Sequence, residues 1–171
     1  MPDTPTPPWR WSGGRPRLSA LPCVMPAEAQ AALPDLKALL AAMEEAQRRL
    51  WANRRQAVLV RVRAAEVRAG RPEGGVALLA VSKLQPAAAV RVLAQAGQTA
   101  FGENYVQEAV DKMAELADLP LQWHLIGPLQ SNKTRVVAEH FDWVHSLDRL
   151  KIAERLSAQR PPGMAPLQVC I

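Results

Sequence analysis

A single lysine, Lys83, follows an apolar run at residues 78–81 whose small and branched side chains are typical of a buried strand. A cation in this place is costly unless its charge is solvated or used. One interpretation is structural, with the lysine stem lying along the surface and the ammonium in water. The other is chemical, because a lysine in a semi-enclosed pocket loses its proton near neutral pH and becomes an amine nucleophile toward an aldehyde.

Polar residues also follow the later strand-like runs, and they include Asn104, His124, Asn132 and His145. Some of these polar positions have a structural explanation, since Glu103 could cap a helix and His145 could be a hydrogen-bonded core histidine. The carboxyl ends of parallel strands meet at one edge of a sheet, where ligands bind in α/β folds. Four consecutive strand ends with polar groups therefore favour a ligand site at that edge.

The elements that must position these residues alternate in type. Apolar runs predict strands at residues 76–81, 99–101, 123–126, 143–145 and 167–171. Helical spacing predicts helices between them, at residues 86–96, 105–116, 132–140 and 150–159. Such alternation implies parallel strands with right-handed crossovers, and hence an α/β fold.

Start and stop signals agree with these helices. Pro86 lies at a first helical turn, where its missing N–H costs nothing, and Gly97 ends the same helix. Asp148 is a candidate cap for the last helix.

An N-terminal helical segment precedes the alternating units. Asp35 is its candidate N-cap, and helical spacing continues to a Gly-Arg-Pro stop at residues 70–72. Because so long a helix is unusual in a globular domain, we expect a bend or break near residues 51–53. The Pro-rich residues 1–34 show no periodicity and are predicted to be a disordered extension, with the barrel part at 35–171.

Charge and cysteine content narrow the class of protein. The net charge is +5, yet residues 1–72 carry +6 and residues 73–171 carry −1, so the predicted α/β part lacks the basic face of a nucleic-acid-binding protein. No apolar stretch is long enough to predict a membrane span. Cys23 and Cys170 form no metal-binding or disulfide pattern and fit a reducing compartment.

An amine nucleophile at Lys83 suits two kinds of chemistry. Its aldehyde partner is either a carbonyl substrate, as in Schiff-base aldolases, or pyridoxal 5'-phosphate (PLP). The glycine patterns of a phosphate loop and of a dinucleotide-binding turn are missing, and so is the G-x-S-x-G of an acyl nucleophile.

Four ordered motifs resemble the pyridoxal phosphate homeostasis protein family. They read LLAVSK at 78–83, FGENYVQE at 101–108, WHLIGPLQSNK at 123–133 and VHSLD at 144–148. The resemblance covers about residues 52–171. It implies a TIM-like (β/α) barrel similar to the N-terminal domain of alanine racemase, of which this chain would hold about five strands.

The resemblance also implies a function. Lys83 would form the Schiff base with PLP, and strand-end geometry makes Asn104, His124 and Asn132 weaker pocket candidates. Family members are cytosolic, have no established catalytic turnover and are thought to bind, store or hand over the cofactor. We therefore expect a cytoplasmic, non-catalytic PLP carrier, monomeric when full length, whose partners are PLP and PLP-dependent apoenzymes rather than nucleic acid or membrane.

One departure from the family concerns its eight-stranded barrel, whose phosphate contacts come from late strands and loops. This sequence stops within the predicted fifth strand. We expect weak cofactor binding and a tendency to associate through uncovered strand edges. The alternatives are a PLP-dependent racemase or decarboxylase of the same barrel class, a Schiff-base aldolase, and a fragment without binding function.

Overall fold

The computed structural model describes residues 27–171, with side chains from residue 35 onward. The chain divides into two units after residue 41. The described part of the first unit, residues 27–41, is entirely helical. Residues 1–26 of the predicted disordered extension lie outside the described residues, and the proposed domain boundary at 34/35 stays a prediction.

The N-terminal helix, α1, runs without interruption over Ala27–Arg68, a length of 42 residues. The predicted N-cap at Asp35 is therefore wrong, since the helix begins earlier and continues through Pro34 despite the hydrogen bond that proline forfeits. The predicted break near residues 51–53 is also wrong. The segment between residues 35 and 69 contains no glycine or proline and is rich in Ala, Leu, Glu, Gln and Arg, which are strong helix formers.

Five strands and four further helices follow in strict alternation. The strands are β1 Ala80–Val81, β2 Ala100–Glu103, β3 Gln122–Leu125, β4 Trp143–Val144 and β5 Gln168–Val169. The helices are α2 Ala87–Gln95, α3 Val106–Glu115, α4 Thr134–His140 and α5 Leu150–Gln159, and a 3₁₀ turn at Ser131–Lys133 precedes α4. Every predicted element of residues 76–171 is present, with some strands shorter than their apolar runs.

All five strands are parallel and lie side by side in the order of the sequence. The central register pairs Phe101 with Trp123 and Gly102 with His124. Sequential parallel strands with helical crossovers are the arrangement of a TIM barrel before closure. The predicted α/β fold, a partial (β/α) barrel of five strands after a helical segment, is confirmed.

The predicted end of α2 is confirmed, whereas the predicted cap of α5 is wrong. Gly97 ends α2 with a φ of +88°, a backbone conformation that favours glycine. Asp148 does not cap α5, which begins without a side-chain cap after Arg149. Its carboxylate instead accepts a hydrogen bond from Arg149 Nε at 3.0 Å.

The hydrophobic core lies between the sheet and helices α2–α5. Its fully enclosed side chains include Phe101, Leu125, Val137, Phe141 and Val144, each at 0% exposure. Odd-numbered residues of β2 and β3 thus face the helices. Their even-numbered neighbours Gly102 and His124 face the opposite surface, which corresponds to the inside of a barrel and is called the inner face below.

None of the helices within residues 27–171 is long and apolar enough to cross a membrane.

Candidate functional site

Lys83 lies in a tight turn immediately after β1. The turn spans Ser82 to Gln85 and is closed by a hydrogen bond from the Gln85 N–H to the Ser82 carbonyl oxygen at 3.0 Å. Its third residue, Leu84, has a φ of +61°, a left-handed backbone conformation that is uncommon for residues other than glycine. Lys83 itself is exposed. The semi-enclosed pocket that the sequence argument assumed for its amine is not formed by the described residues.

A buried ionic cluster holds this turn from the helix side. Lys112 Nζ donates to the Ser82 carbonyl oxygen at 2.7 Å, to Glu103 Oε1 at 2.8 Å and to Glu108 Oε1 at 2.7 Å. Ser82 Oγ donates to the same Glu103 oxygen at 2.7 Å. These four residues, Ser82, Glu103, Glu108 and Lys112, are called the Lys112 cluster. The suggestion that Glu103 caps a helix is wrong, because its carboxylate is the sheet-side anion of this cluster.

Glu108 connects the Lys112 cluster to Leu84, the residue that follows Lys83. Its Oε1 accepts the Leu84 N–H at 2.6 Å in addition to the Lys112 ammonium. The hydrogen bond from Lys112 is the main reason that the pKa of Glu108 lies below its ordinary value; the Leu84 N–H adds to the effect, and partial burial opposes it. Glu108 is therefore a carboxylate at neutral pH.

His124 lies on the inner face in contact with two other aromatic rings. Its ring stacks on Trp143 with 5.4 Å between centroids and an interplanar angle of 5°. Its Nδ1 is 2.9 Å from His145 Nε2. His145 is exposed, so its interpretation as a core histidine is wrong. The Nε2 atom of His124 is buried and has no hydrogen-bond partner among the described residues.

Burial, together with the neighbouring His145, lowers the pKa of His124 from 6.5 to about 4 against the opposing effect of Asp142. The ring is thus neutral at pH 7 and available as a hydrogen-bond donor or acceptor at Nε2.

This shift predicts a pH-dependent stability. Between pH 6.5 and 4 the unfolded histidine binds a proton that the native ring does not, so His124 should lower the free energy of unfolding by about 1–3 kcal/mol as pH decreases, and its contribution should level off below that window. Urea unfolding at a series of pH values measures it. The carboxylate Glu108, whose pKa is lowered, changes stability as pH falls through its ordinary value of 4.5, so the slope at pH values well above 4.5 is due to histidine. An unchanged slope in His124→Gln would contradict the assignment.

Asn104 follows β2 and is half-buried beside a cavity of about 320 Å³. The cavity also has Tyr105, Gln107, Gln130 and Lys133 in its lining. Gly127 packs against the backbone of Asn104 so closely that a Cβ at residue 127 would lie 2.5 Å from the Asn104 carbonyl oxygen. The chain after β3 can therefore approach the chain after β2 this closely only because residue 127 has no side chain.

Asn132 lies in the 3₁₀ turn before α4 and is exposed. Within residues 27–171, no hydrogen bond joins any two of the predicted site residues Lys83, Asn104, His124 and Asn132. They share the carboxyl edge of the sheet without hydrogen bonding to one another in the described residues. Their assignment to a common pocket stays a prediction.

A larger cavity of about 880 Å³ opens beside the ends of β4 and β5. Its lining includes Ile126, His145, Ser146, Arg149 and Cys170. Ser146 Oγ donates to the Gly127 carbonyl oxygen at 2.6 Å, which links this cavity to the end of β3.

Glu108 and Lys112 were not among the predicted site residues, because their roles come from contacts with the turn after β1. A glutamate four residues before a lysine on one helix is an ordinary surface pair. That spacing was visible in the sequence, but nothing local distinguished it from a solvated pair. Trp143, which stacks on His124, was assigned only to a strand.

Comparison with known proteins adds to this geometry. A pyridoxal phosphate homeostasis protein from Pseudomonas aeruginosa is 66% identical over 114 residues, which cover 67% of this chain and 50% of that protein. The protein of the same name from Vibrio cholerae is 58% identical over 118 residues, covering 67% of this chain and 50% of the relative. The matched segment closely resembles the pyridoxal phosphate homeostasis protein family. No family model matches the chain.

A solved structure supports the relationship. PipY of Synechococcus elongatus, solved with PLP bound, is 57% identical and matches with a TM-score of 0.50 over 57% of this chain and 46% of that chain. The chain spans about half the length of the curated homeostasis proteins that it matches.

Proposed function

We propose that this chain binds PLP through Lys83 and takes part in intracellular PLP homeostasis without catalysing a reaction. The observation that carries the proposal is the position of Lys83, on a turn braced by buried charges at the carboxyl edge of the sheet. The relatives' name and the PLP-bound PipY structure support it.

The described residues include partners for two groups of PLP, its aldehyde and its aromatic ring. PLP supplies an aldehyde, which reacts with a primary amine, and an aromatic ring that needs polar and stacking partners. The exposed amine of Lys83 is accessible to an aldehyde. His124 presents a buried Nε2 atom without a hydrogen-bond partner, which is the kind of group that a ligand satisfies.

Each residue would have a separate role. The Lys83 amine would form the covalent bond to the aldehyde carbon, with the aldehyde oxygen leaving as water. Asn104 would contribute amide hydrogen bonds from the end of β2, and Asn132 would do so from the 3₁₀ turn before α4. A neutral His124 would donate or accept one hydrogen bond without placing a charge on the inner face.

Binding by this chain should be weak. No set of buried cationic side chains lines either cavity at the carboxyl edge in the described residues, so the phosphate lacks enclosed charge-assisted partners. A site without two or three such bonds binds the cofactor with a free energy that is less favourable by several kcal/mol, on the order of 1.5–3 kcal/mol for each bond. The edge-strand residues Val81, on the inner face of β1, and Val169, on the helix side of β5, are exposed and would favour association.

Borohydride trapping tests the proposal. The purified chain is incubated with PLP, reduced and digested, and the label is located by peptide mass mapping. We expect the label at Lys83 in preference to the exposed Lys37 and Lys151. Lys83→Arg keeps the charge but removes the reactive amine, so it should abolish that label and leave the others unchanged.

Three outcomes would contradict the proposal. Equal labelling of all exposed lysines would indicate non-specific reaction. Adducts that carry the carbons of an added carbonyl substrate instead of a pyridine would favour an aldolase. Racemisation of enantiopure alanine at enzyme-like turnover would contradict the non-catalytic role.

We also propose that the protein acts in the cytoplasm, is monomeric when full length and delivers the cofactor to PLP-dependent apoenzymes. The bacterial homeostasis proteins among its relatives support this setting.

A further inference from the structure

We propose that Glu108 and Lys112 of α3 are positioning residues for Lys83, which fix the peptide groups on both sides of the lysine. This inference rests on the proposed function, because it matters only if the Lys83 amine is the group that reacts.

The contacts are arranged symmetrically about Lys83. The peptide group before the lysine is held through the Ser82 carbonyl oxygen, which accepts from Lys112 Nζ at 2.7 Å. The peptide group after it is held through the Leu84 N–H, which donates to Glu108 Oε1 at 2.6 Å. Glu108 and Lys112 are joined to each other at 2.7 Å. One ion pair on a helix thus fixes the backbone on both sides of the Lys83 Cα.

The hydrogen-bond capacity of Lys112 is fully committed to this arrangement. An ammonium has three N–H donors, and Lys112 directs them to the Ser82 carbonyl, Glu103 and Glu108. Its side chain is 7% exposed, and that of Glu103 is 0% exposed. Because charge interactions are strong where water is excluded, the cluster resists displacement of the turn.

The turn needs such support. Leu84 has a φ of +61°, a left-handed conformation that a leucine adopts only at an energetic cost. Without the hydrogen bond to Glu108, the backbone after Lys83 is expected to relax toward an ordinary conformation. The Lys83 amine would then sample a larger volume relative to the inner face.

A surface ion pair that only stabilised α3 would not require contacts with a turn more than twenty residues away in sequence. Control residues for this distinction lie on the same helix and in the core. Glu115 is an exposed glutamate of α3 whose side chain makes no hydrogen bond within residues 27–171. Val137 of α4 is fully buried.

The test compares Glu108→Ala and Glu108→Gln with the unaltered chain, Glu115→Gln and Val137→Ala. The first readout is the rate of borohydride-trapped PLP labelling at Lys83, normalised to that at Lys151. We expect Glu108→Ala to lower this ratio about 10- to 100-fold, since small misplacements of a reacting group have effects of this size. Glu108→Gln keeps an oxygen acceptor for the Leu84 N–H, so its labelling ratio should lie between those of the unaltered chain and Glu108→Ala.

The second readout does not involve the cofactor. Amide hydrogen exchange at Leu84 should be about tenfold faster or more in Glu108→Ala, because its hydrogen bond is lost. Glu115→Gln should match the unaltered chain in both readouts. Val137→Ala lowers stability without touching the turn, so its labelling ratio at Lys83 should stay unchanged.

The outcomes separate this inference from the proposed function. If the unaltered chain labels Lys83 no faster than Lys151, the proposed function fails and the positioning role fails with it. If the unaltered chain labels Lys83 selectively but Glu108→Ala does so equally well, only the positioning role is overturned. An equal loss of labelling in Val137→Ala would also overturn it, because the effect would then follow stability alone.

Discussion

Replacing Lys112 with methionine is expected to lower the free energy of unfolding by about 3–5 kcal/mol, because it leaves a buried carboxylate without its cation. Glu103 is fully buried, and its Oε1 depends on Lys112 and Ser82. Its Oε2 has no hydrogen-bond partner in the described residues, so no other group replaces the ammonium. Methionine keeps most of the apolar stem, which confines the change to the charge. Denaturant unfolding followed by circular dichroism measures the loss.

Two controls define the origin of this effect. The double variant Glu103→Gln with Lys112→Met removes both charges and should be more stable than Lys112→Met alone, since no unpaired charge is left in the core. Arg91→Met breaks an ion pair with Asp118 on the surface, where both side chains are at least one-third exposed, and should cost much less. Comparable losses in Lys112→Met and Arg91→Met would show that burial of the cluster does not matter.

Replacing Gly127 with alanine is expected to destabilise the protein by about 1–3 kcal/mol or more, because the added methyl group meets backbone rather than a movable side chain. The new Cβ would lie 2.5 Å from the carbonyl oxygen of Asn104 and 2.8 Å from its Cα. The strand ends β2 and β3 would have to separate. Asn104 would then move together with the cavity that it lines. Thermal or denaturant unfolding gives the stability, and the amide signals of Asn104 report the displacement.

Gly102→Ala is the matched control. A Cβ there would lie 3.1 Å from Ile126 Cδ1, which is the end of a flexible side chain and can move. We therefore expect a smaller loss than for Gly127→Ala. Equal losses would indicate that glycine content in general, rather than the close approach at Asn104, determines stability at this edge.

The two predictions concern the carboxyl edge of the sheet from opposite sides. The Lys112 cluster fixes the end of β1 from the helix side, and Gly127 fixes the ends of β2 and β3. Both act on backbone positions from which Lys83 and Asn104 extend. Because a lysine that must react with an aldehyde gains from a fixed backbone and a mobile amine, rigid support beneath an exposed side chain is compatible with cofactor binding.

The alternation of strands and helices could be predicted from the sequence because each βα unit satisfies its own local rules. The apolar run before Lys83, Pro86 at the start of α2 and Gly97 at its end are signals within a few residues of the structure that they specify. The continuous α1 was predicted with a wrong start and a wrong break. Both errors have one physical reason: the uninterrupted helix formers after Pro34-Asp35 stabilise a single helix that is longer than is typical of a globular domain.

By itself the sequence determined the α/β fold, the order of its elements, the resemblance to a family and the position of Lys83 at a strand end, because these depend on periodicity and contiguous motifs. The tertiary structure alone decided what surrounds that lysine. Lys83 proved exposed, His145 proved exposed, and Glu103 proved to be the partner of Lys112. These properties depend on contacts between residues distant in sequence, such as Ser82 with Lys112 and Leu84 with Glu108. A charge near a strand end has the same local pattern whether it is solvated or paired, so only the packing of α3 against β1 and β2 distinguishes the two.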